Sequence, residues 1–189
     1  MDRTEFIKQN IFGRILDVGC EGGTLHKLIE RDGVYGMDIR IKKYKKGVVQ
    51  GDAQSIPFKD NSFDTVIAGE LIEHLVNPEK FLRESNRILR KNGILIITTP
   101  NKKSWVNRLL KSSFHPTHIS LFDIQSLKRI TSKYFFIQRM FCLPYDKISS
   151  FGSKFKRLYW FRGLIHHFLP TNLQEEIVLL LRNRNKTFR

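Results

Sequence analysis

The chain has 189 residues, 41% hydrophobic and 27% charged, so it holds enough apolar material for a packed core. That composition excludes a disordered tail, a collagen-like rod and a disulfide scaffold. Charge is uneven: residues 1–100 carry 16 basic and 14 acidic side chains, residues 101–189 carry 17 and 4, and the formal total is +15.

A basic back half predicts an anionic partner (nucleic acid, a lipid surface or a phosphorylated substrate) or, more simply, a face of solvated lysines. No apolar run reaches the ~18–20 residues of a membrane helix. The opening residues contain no stretch suited to a signal peptide. The two cysteines, Cys20 and Cys142, sit inside apolar runs and read as buried thiols. A cytoplasmic chain is expected, with peripheral attachment to an anionic membrane as the alternative.

In chain order, residues 14–19 (Arg-Ile-Leu-Asp-Val-Gly) read as a buried strand ending in a glycine turn. Residues 22–31 follow as a helix, with Leu25, Leu28 and Ile29 on one face. Residues 33–39, 48–53 and 63–69 read as further strands. The clearest helix is 77–91: Asn77 caps it, Pro78 takes the first helical position, and Phe81, Leu82, Ser85, Ile88 and Leu89 form its inner stripe. Asn92-Gly93 is expected to end it, and 94–99 is a fifth strand. A capped helix over 123–132 turns Ile124, Leu127 and Ile130 inward. Residues 134–143 are a sixth strand, and 176–184 are a seventh strand or a short helix. Between them, about 147–172, lies an aromatic and basic insertion.

Strands alternating with helices predict an α/β fold with a parallel sheet and helices on both faces. One domain over 1–189 is expected.

In such a sheet, ligands bind beyond the carboxyl ends of the strands. The first strand ends Asp17-Val18-Gly19-Cys20-Glu21-Gly22-Gly23, where glycines let the backbone turn sharply. A carboxylate at Asp17 would repel a pyrophosphate and suits a cationic group instead. Asp38 ends the second strand and can accept ribose hydroxyls. Asp52, before Ala53, can accept from an adenine amino group. Three such carboxylates describe a cationic, ribose-bearing adenine ligand, and S-adenosylmethionine fits.

Five segments in order carry a family resemblance: Ile-Leu-Asp-Val-Gly-Cys-Glu-Gly-Gly, Gly-Met-Asp-Ile, Gly-Asp-Ala-Gln-Ser-Ile-Pro-Phe, Asn-Ser-Phe-Asp-Thr-Val and Leu-Arg-Lys-Asn-Gly-Ile-Leu-Ile-Ile-Thr-Thr-Pro-Asn. Over about residues 12–143 the chain resembles the class I S-adenosylmethionine-dependent methyltransferases, nearest the ubiquinone-biosynthesis-like (type 11) group. The resemblance implies a Rossmann-like, seven-stranded, mostly parallel sheet with the last strand antiparallel. It implies S-adenosyl-L-methionine as cofactor. It places Asp17, Gly19 and Gly22 near the methionine end, Asp38 on the ribose, Asp52 and Ala53 at the adenine, and Glu70 beside the transfer site, with Cys20 and Ile39 also among the cofactor-binding residues. Glu21 departs from the pattern, standing where the family has its middle glycine. Only 13 residues precede the first strand, where the family has a longer helical segment, so an open cleft, a late lid or a partner is expected.

Glu70-Leu-Ile-Glu73-His74 follows the fourth strand. At helical spacing, residues 70, 73 and 74 would share one face. Without metal, His74 is the candidate general base and Glu73 its neighbour in the catalytic pair, since an imidazole titrates near neutral pH. The expected metal complement is none. The alternative is a divalent cation on Glu70, Glu73, His74 and His118, with His115 nearby, as in the small-RNA 3′-terminal 2′-O-methyltransferases that this motif also resembles.

The insertion mixes Phe151, Phe155, Tyr159, Trp160 and Phe161 with Lys154, Lys156, Arg157 and Arg162. Aromatics with cations suit single-stranded nucleic acid or an interfacial helix; the plain alternative is a lid on the sheet. Lys42, Lys43, Lys45 and Lys46 read as a solvated face. Methylation of an oxygen on a small or lipid-linked acceptor is the expected function. The alternatives are a metal-assisted RNA ribose methyltransferase and a non-catalytic, methyltransferase-like binding module.

Overall fold

Strands that are apolar on both faces need cover above and below. The computed structural model describes residues 2–20, 32–41, 46–104, 117–143, 170 and 173–184. It builds them around one sheet. Its strands are β1 (Ile15–Val18), β2 (Val34–Asp38), β3 (Val48–Gln50), β4 (Phe63–Gly69), β5 (Leu89–Pro100), β6 (Phe135–Leu143) and β7 (Glu176–Asn183). The spatial order is β3-β2-β1-β4-β5-β7-β6. β1 to β5 pair in parallel, and β7 lies antiparallel between β5 and β6. This is the expected Rossmann-like sheet, and residues 176–183 are strand rather than helix.

Side chains alternate across the strands. Ile15, Ile67, Ile94, Ile96, Val178 and Leu180 line one face, where helix α1 (Arg3–Asn10) lays Phe6 and Ile7. Leu16, Val66, Ala68, Leu95, Ile97, Ile177, Leu179 and Leu181 line the other. That face is covered by Phe81, Leu82 and Ile88 of helix α2 (Pro78–Ile88) and Leu127 of helix α3 (Ile124–Thr131). Asn77 and Asp123 cap these two helices by accepting from Lys80 N at 3.1 Å and Ser126 N at 2.8 Å.

Helix α1 lies where no element was expected. Its apolar stripe is two residues, too weak a periodic signal, and its stability comes from docking. Asp2 starts it by accepting from Glu5 N at 2.7 Å.

Two boundaries also differ from expectation. Helix α2 stops at Ile88, because Leu89 adopts extended backbone and pairs with Phe63. Asn92, with φ 63°, and Gly93 then belong to an irregular stretch of β5, which regains register at Thr65↔Ile94. Asn183 secures this join by donating through Nδ2 to the carbonyls of Leu89 at 3.0 Å and Arg90 at 3.2 Å. β3 ends at Gln50, so Asp52 and Ala53 sit in the turn beyond it.

Gly22, the helix expected at 22–31, Lys42, Lys43, Lys45, His115 and the insertion at 147–172, Pro170 apart, lie outside the described residues. Among the described residues, no helix is long and apolar enough to cross a membrane.

Candidate active site

Parallel register brings the carboxyl ends of β1, β2 and β3 to one edge of the sheet, with Val18 beside Met37 and Asp38 beside Gln50. The turns there are stitched together. Gly19 N and Cys20 N donate to the Met37 carbonyl at 2.7 and 3.2 Å, and Gly51 N donates to the Asp38 carbonyl at 2.9 Å. Gly19 is required: its φ is +82°, and a Cβ there would stand 3.2 Å from Leu71 Cδ1.

The expected carboxylates gather at this edge. Asp17 is 3% exposed. Burial, and then the charge of Asp38, push its carboxyl up to about 7. Asp38 Oδ1 accepts from Arg40 N at 3.0 Å, and Asp52 Oδ1 accepts from Gln54 N at 2.8 Å. Ile39 is exposed next to Asp38, while Cys20 and Ala53 are buried. Cys142 is buried as well, as expected for both thiols.

The raised Asp17 carboxyl yields a pH prediction. Folding favours its protonated form, so that contribution to stability is present below about pH 4 and is lost as pH rises through about 7. Asp17→Asn is therefore expected to become increasingly more stable than wild type over that window, by up to ~4 kcal/mol. A cationic ligand needs the carboxylate and should bind more weakly below pH 7. Parallel melting curves and titrations at pH 5 and pH 8 check both signs.

The Glu70–His74 segment departs from expectation. Glu70 adopts left-handed backbone, φ 50°, and only Ile72–His74 form a 3₁₀ turn. Stacking at i, i+3 and i+4 needs a continuous helix starting at residue 70, which is not there. Glu70 Oε1 accordingly accepts from Arg3 Nη1 at 2.8 Å, and that nitrogen also donates to Glu176 Oε1 at 2.8 Å. Burial opposes the Arg3 charge, but Glu176 and then Glu70 outweigh it and hold the guanidinium protonated.

Glu73 and His74 meet His118 instead. One donor atom from each lies within 4.8 Å of the others, and Glu70 is outside the group. Glu73 is fully buried; its Oε2 accepts from the Thr99 hydroxyl at 2.9 Å, and its Oε1 has no hydrogen-bond partner among the described residues. Burial pushes this carboxyl up to about 8, against the Thr99 bond. The Glu73 carbonyl accepts from Ile119 N and Ser120 N, both at 2.9 Å, which pins the 117–120 segment beside the turn. The His74 and His118 rings are 4.8 Å apart at 67°.

His74 Nδ1 stands 2.9 Å from the Thr117 carbonyl oxygen. A carbonyl can only accept, so in the neutral ring Nδ1 carries the proton and Nε2 the lone pair. Arg3, Thr99, Thr117 and Glu176 were not among the expected site residues. Thr99 lies in the fifth of the quoted segments and the other three in none, and each gains its place from partners far away in sequence.

Residues 16–97 match a family model described as a methyltransferase domain. The ubiquinone biosynthesis O-methyltransferase of Pelagibacter ubique is 32% identical over 141 residues, covering 59% of each chain. An uncharacterized protein of Methanocaldococcus jannaschii is 32% identical over 127 residues, covering 62% of this chain and 56% of that protein. This chain thus spans a little over half the length of these relatives. Among solved structures, a possible histamine N-methyltransferase from Thermotoga maritima superposes with a TM-score of 0.69 at 20% identity, covering 96% of this chain and 87% of that one. The [4+2]-cyclase SpnF does so at 0.65 and 19%, covering 95% and 80%, so the fold alone does not specify the reaction. Sheet order and the superposed structures agree on the fold, that of the class I S-adenosylmethionine-dependent methyltransferases, and residues 16–97 are similar to a methyltransferase domain.

Proposed function

We propose that the chain transfers a methyl group from S-adenosylmethionine to an oxygen of a small or lipid-linked acceptor. The observation that carries this is the gathering of Asp17, Asp38 and Asp52 at adjacent parallel strand ends. S-adenosylmethionine supplies a methyl group on a sulfonium, together with an ammonium, two ribose hydroxyls and an adenine. In this reading Asp17 attracts the cationic end, Asp38 accepts from the ribose hydroxyls, exposed Ile39 offers an apolar contact, and Asp52 accepts from the adenine amino group. Gly19 lets the backbone approach. His74 Nε2 takes the acceptor's proton as the carbon–sulfur bond breaks and the carbon–oxygen bond forms. Holding acceptor oxygen and methyl near ~3–3.5 Å in line supplies most of the rate. The ubiquinone O-methyltransferase relative supports oxygen as the methylated atom. A cytoplasmic location goes with this reading.

The test is calorimetric titration with S-adenosylmethionine and its demethylated product. Wild type should bind both. Asp38→Ala should lose about 1.5–3 kcal/mol on both, the worth of a bond to a charged acceptor. Unchanged affinity would remove Asp38 from the site.

A second reading is an RNA terminal ribose 2′-hydroxyl as acceptor, with a divalent cation on Glu73, His74 and His118. It is favoured by the convergence of those three donors and by the unpartnered, buried Glu73 Oε1. Such a cation would neutralise Glu73 and polarise the acceptor hydroxyl.

A further inference from the structure

The reading above leaves Arg3 without a task, yet its placement is demanding. It is 8% exposed, and a single nitrogen, Nη1, bridges two carboxylates, one just past the end of β4 and one at the start of β7. Glu176 is fully buried, whereas the Glu70 side chain keeps 37% of its surface exposed. Burying such a group of charges is costly, and an apolar trio of similar volume would attach α1 to the sheet at least as well. Adhesion of α1 therefore does not require the bridge. What the bridge does fix is the direction of Glu70.

Glu70 is constrained from the backbone side too. Its φ of 50° is a conformation that non-glycine residues occupy at a cost of ~1 kcal/mol or more. Its N–H donates to the Thr98 carbonyl at 2.9 Å. The next residue, Leu71, packs over Gly19, whose missing Cβ leaves it room. Glu70 thus stands between the glycine turn after β1 and the Glu73–His74 turn, half open to the cleft.

We propose that Arg3 is a positioning residue: from the N-terminal helix it holds the Glu70 carboxylate at the mouth of the cleft, facing the cationic end of the cofactor. The inference rests on the S-adenosylmethionine reading above. It makes docking of α1 part of building the site, so that cofactor affinity depends on a segment that precedes every family motif in the chain.

The test uses the full chain, with S-adenosylmethionine and its demethylated product as probes. Arg3→Met alone strands Glu176 in the core and is expected to unfold readily. Arg3→Met combined with Glu176→Met removes the buried carboxylate that Arg3 pairs with along with its cation, so this double variant should fold. It should bind S-adenosylmethionine roughly tenfold more weakly or worse, a shift well within calorimetric range. Arg3→Lys should regain part of that loss. In a Glu70→Gln background, the same double change should move affinity less than about twofold, because its effect runs through Glu70. A folded double variant with wild-type affinity overturns the proposal and leaves Arg3 a structural cation that moves only the melting temperature. An equal loss of affinity with and without Glu70→Gln also overturns it. A wild-type chain that binds neither ligand overturns the cofactor reading and this one together.

Discussion

Replacing His74 with alanine is expected to lower turnover by about 100- to 10,000-fold while leaving S-adenosylmethionine affinity within a few-fold of wild type. The expectation follows from where the ring is held. Its Nδ1 faces the Thr117 carbonyl at 2.9 Å, which commits the Nε2 lone pair to an incoming proton. Methyl transfer to a hydroxyl releases that proton, and no other role in the transfer requires a protein nucleophile. The measurement uses labelled S-adenosylmethionine against separated lipid, small-molecule and RNA fractions, with affinity measured in parallel. A variant that turns over normally removes His74 from the chemistry. Wild type that binds the cofactor and labels no fraction supports a binding module instead. A chelator adds the decisive arm. Turnover lost on chelation and restored by magnesium or manganese would make His74 a metal ligand with Glu73 and His118, and would favour the ribose acceptor. Turnover indifferent to chelation leaves it the base.

Phe6→Ala is expected to destabilise the chain by about 3–5 kcal/mol, the usual cost of truncating a buried aromatic residue. Phe6 is fully buried, and its ring meets Phe141 edge-on at 5.0 Å. It packs with Ile15, Ile67, Ile94 and Ile96, the apolar face of three parallel strands. Among the described residues, no other helix covers that face. Chemical denaturation of wild type and variant checks the figure. A loss under 1 kcal/mol would mean that α1 is held by its ion pairs rather than by its apolar residues. A loss near 3–5 kcal/mol accompanied by weaker cofactor binding would also agree with a site that depends on the docked helix.

The sheet and the order of its strands were legible in the sequence. A continuous apolar, largely β-branched run such as Ile94–Ile97 reads as a central strand, and residues at the ends of neighbouring parallel strands lie at one edge of the sheet. Asp17, Gly19 and Asp38 were therefore legible from position alone. The helix caps Asn77 and Asp123 were legible because a cap is local: side chain and partner lie three residues apart. Other choices depended on partners distant in sequence and came only with the folded chain. Leu89 became strand rather than helix because Phe63 offers it a pairing partner. Glu70 pairs with Arg3, 67 positions earlier, and stays outside the group formed by Glu73, His74 and His118. His118 joined Glu73 and His74 because the Glu73 carbonyl captures the backbone of Ile119 and Ser120. Helix α1 was invisible for the same reason: two apolar residues make no periodic pattern, and they become a helix face only against a sheet whose strands lie elsewhere in the chain.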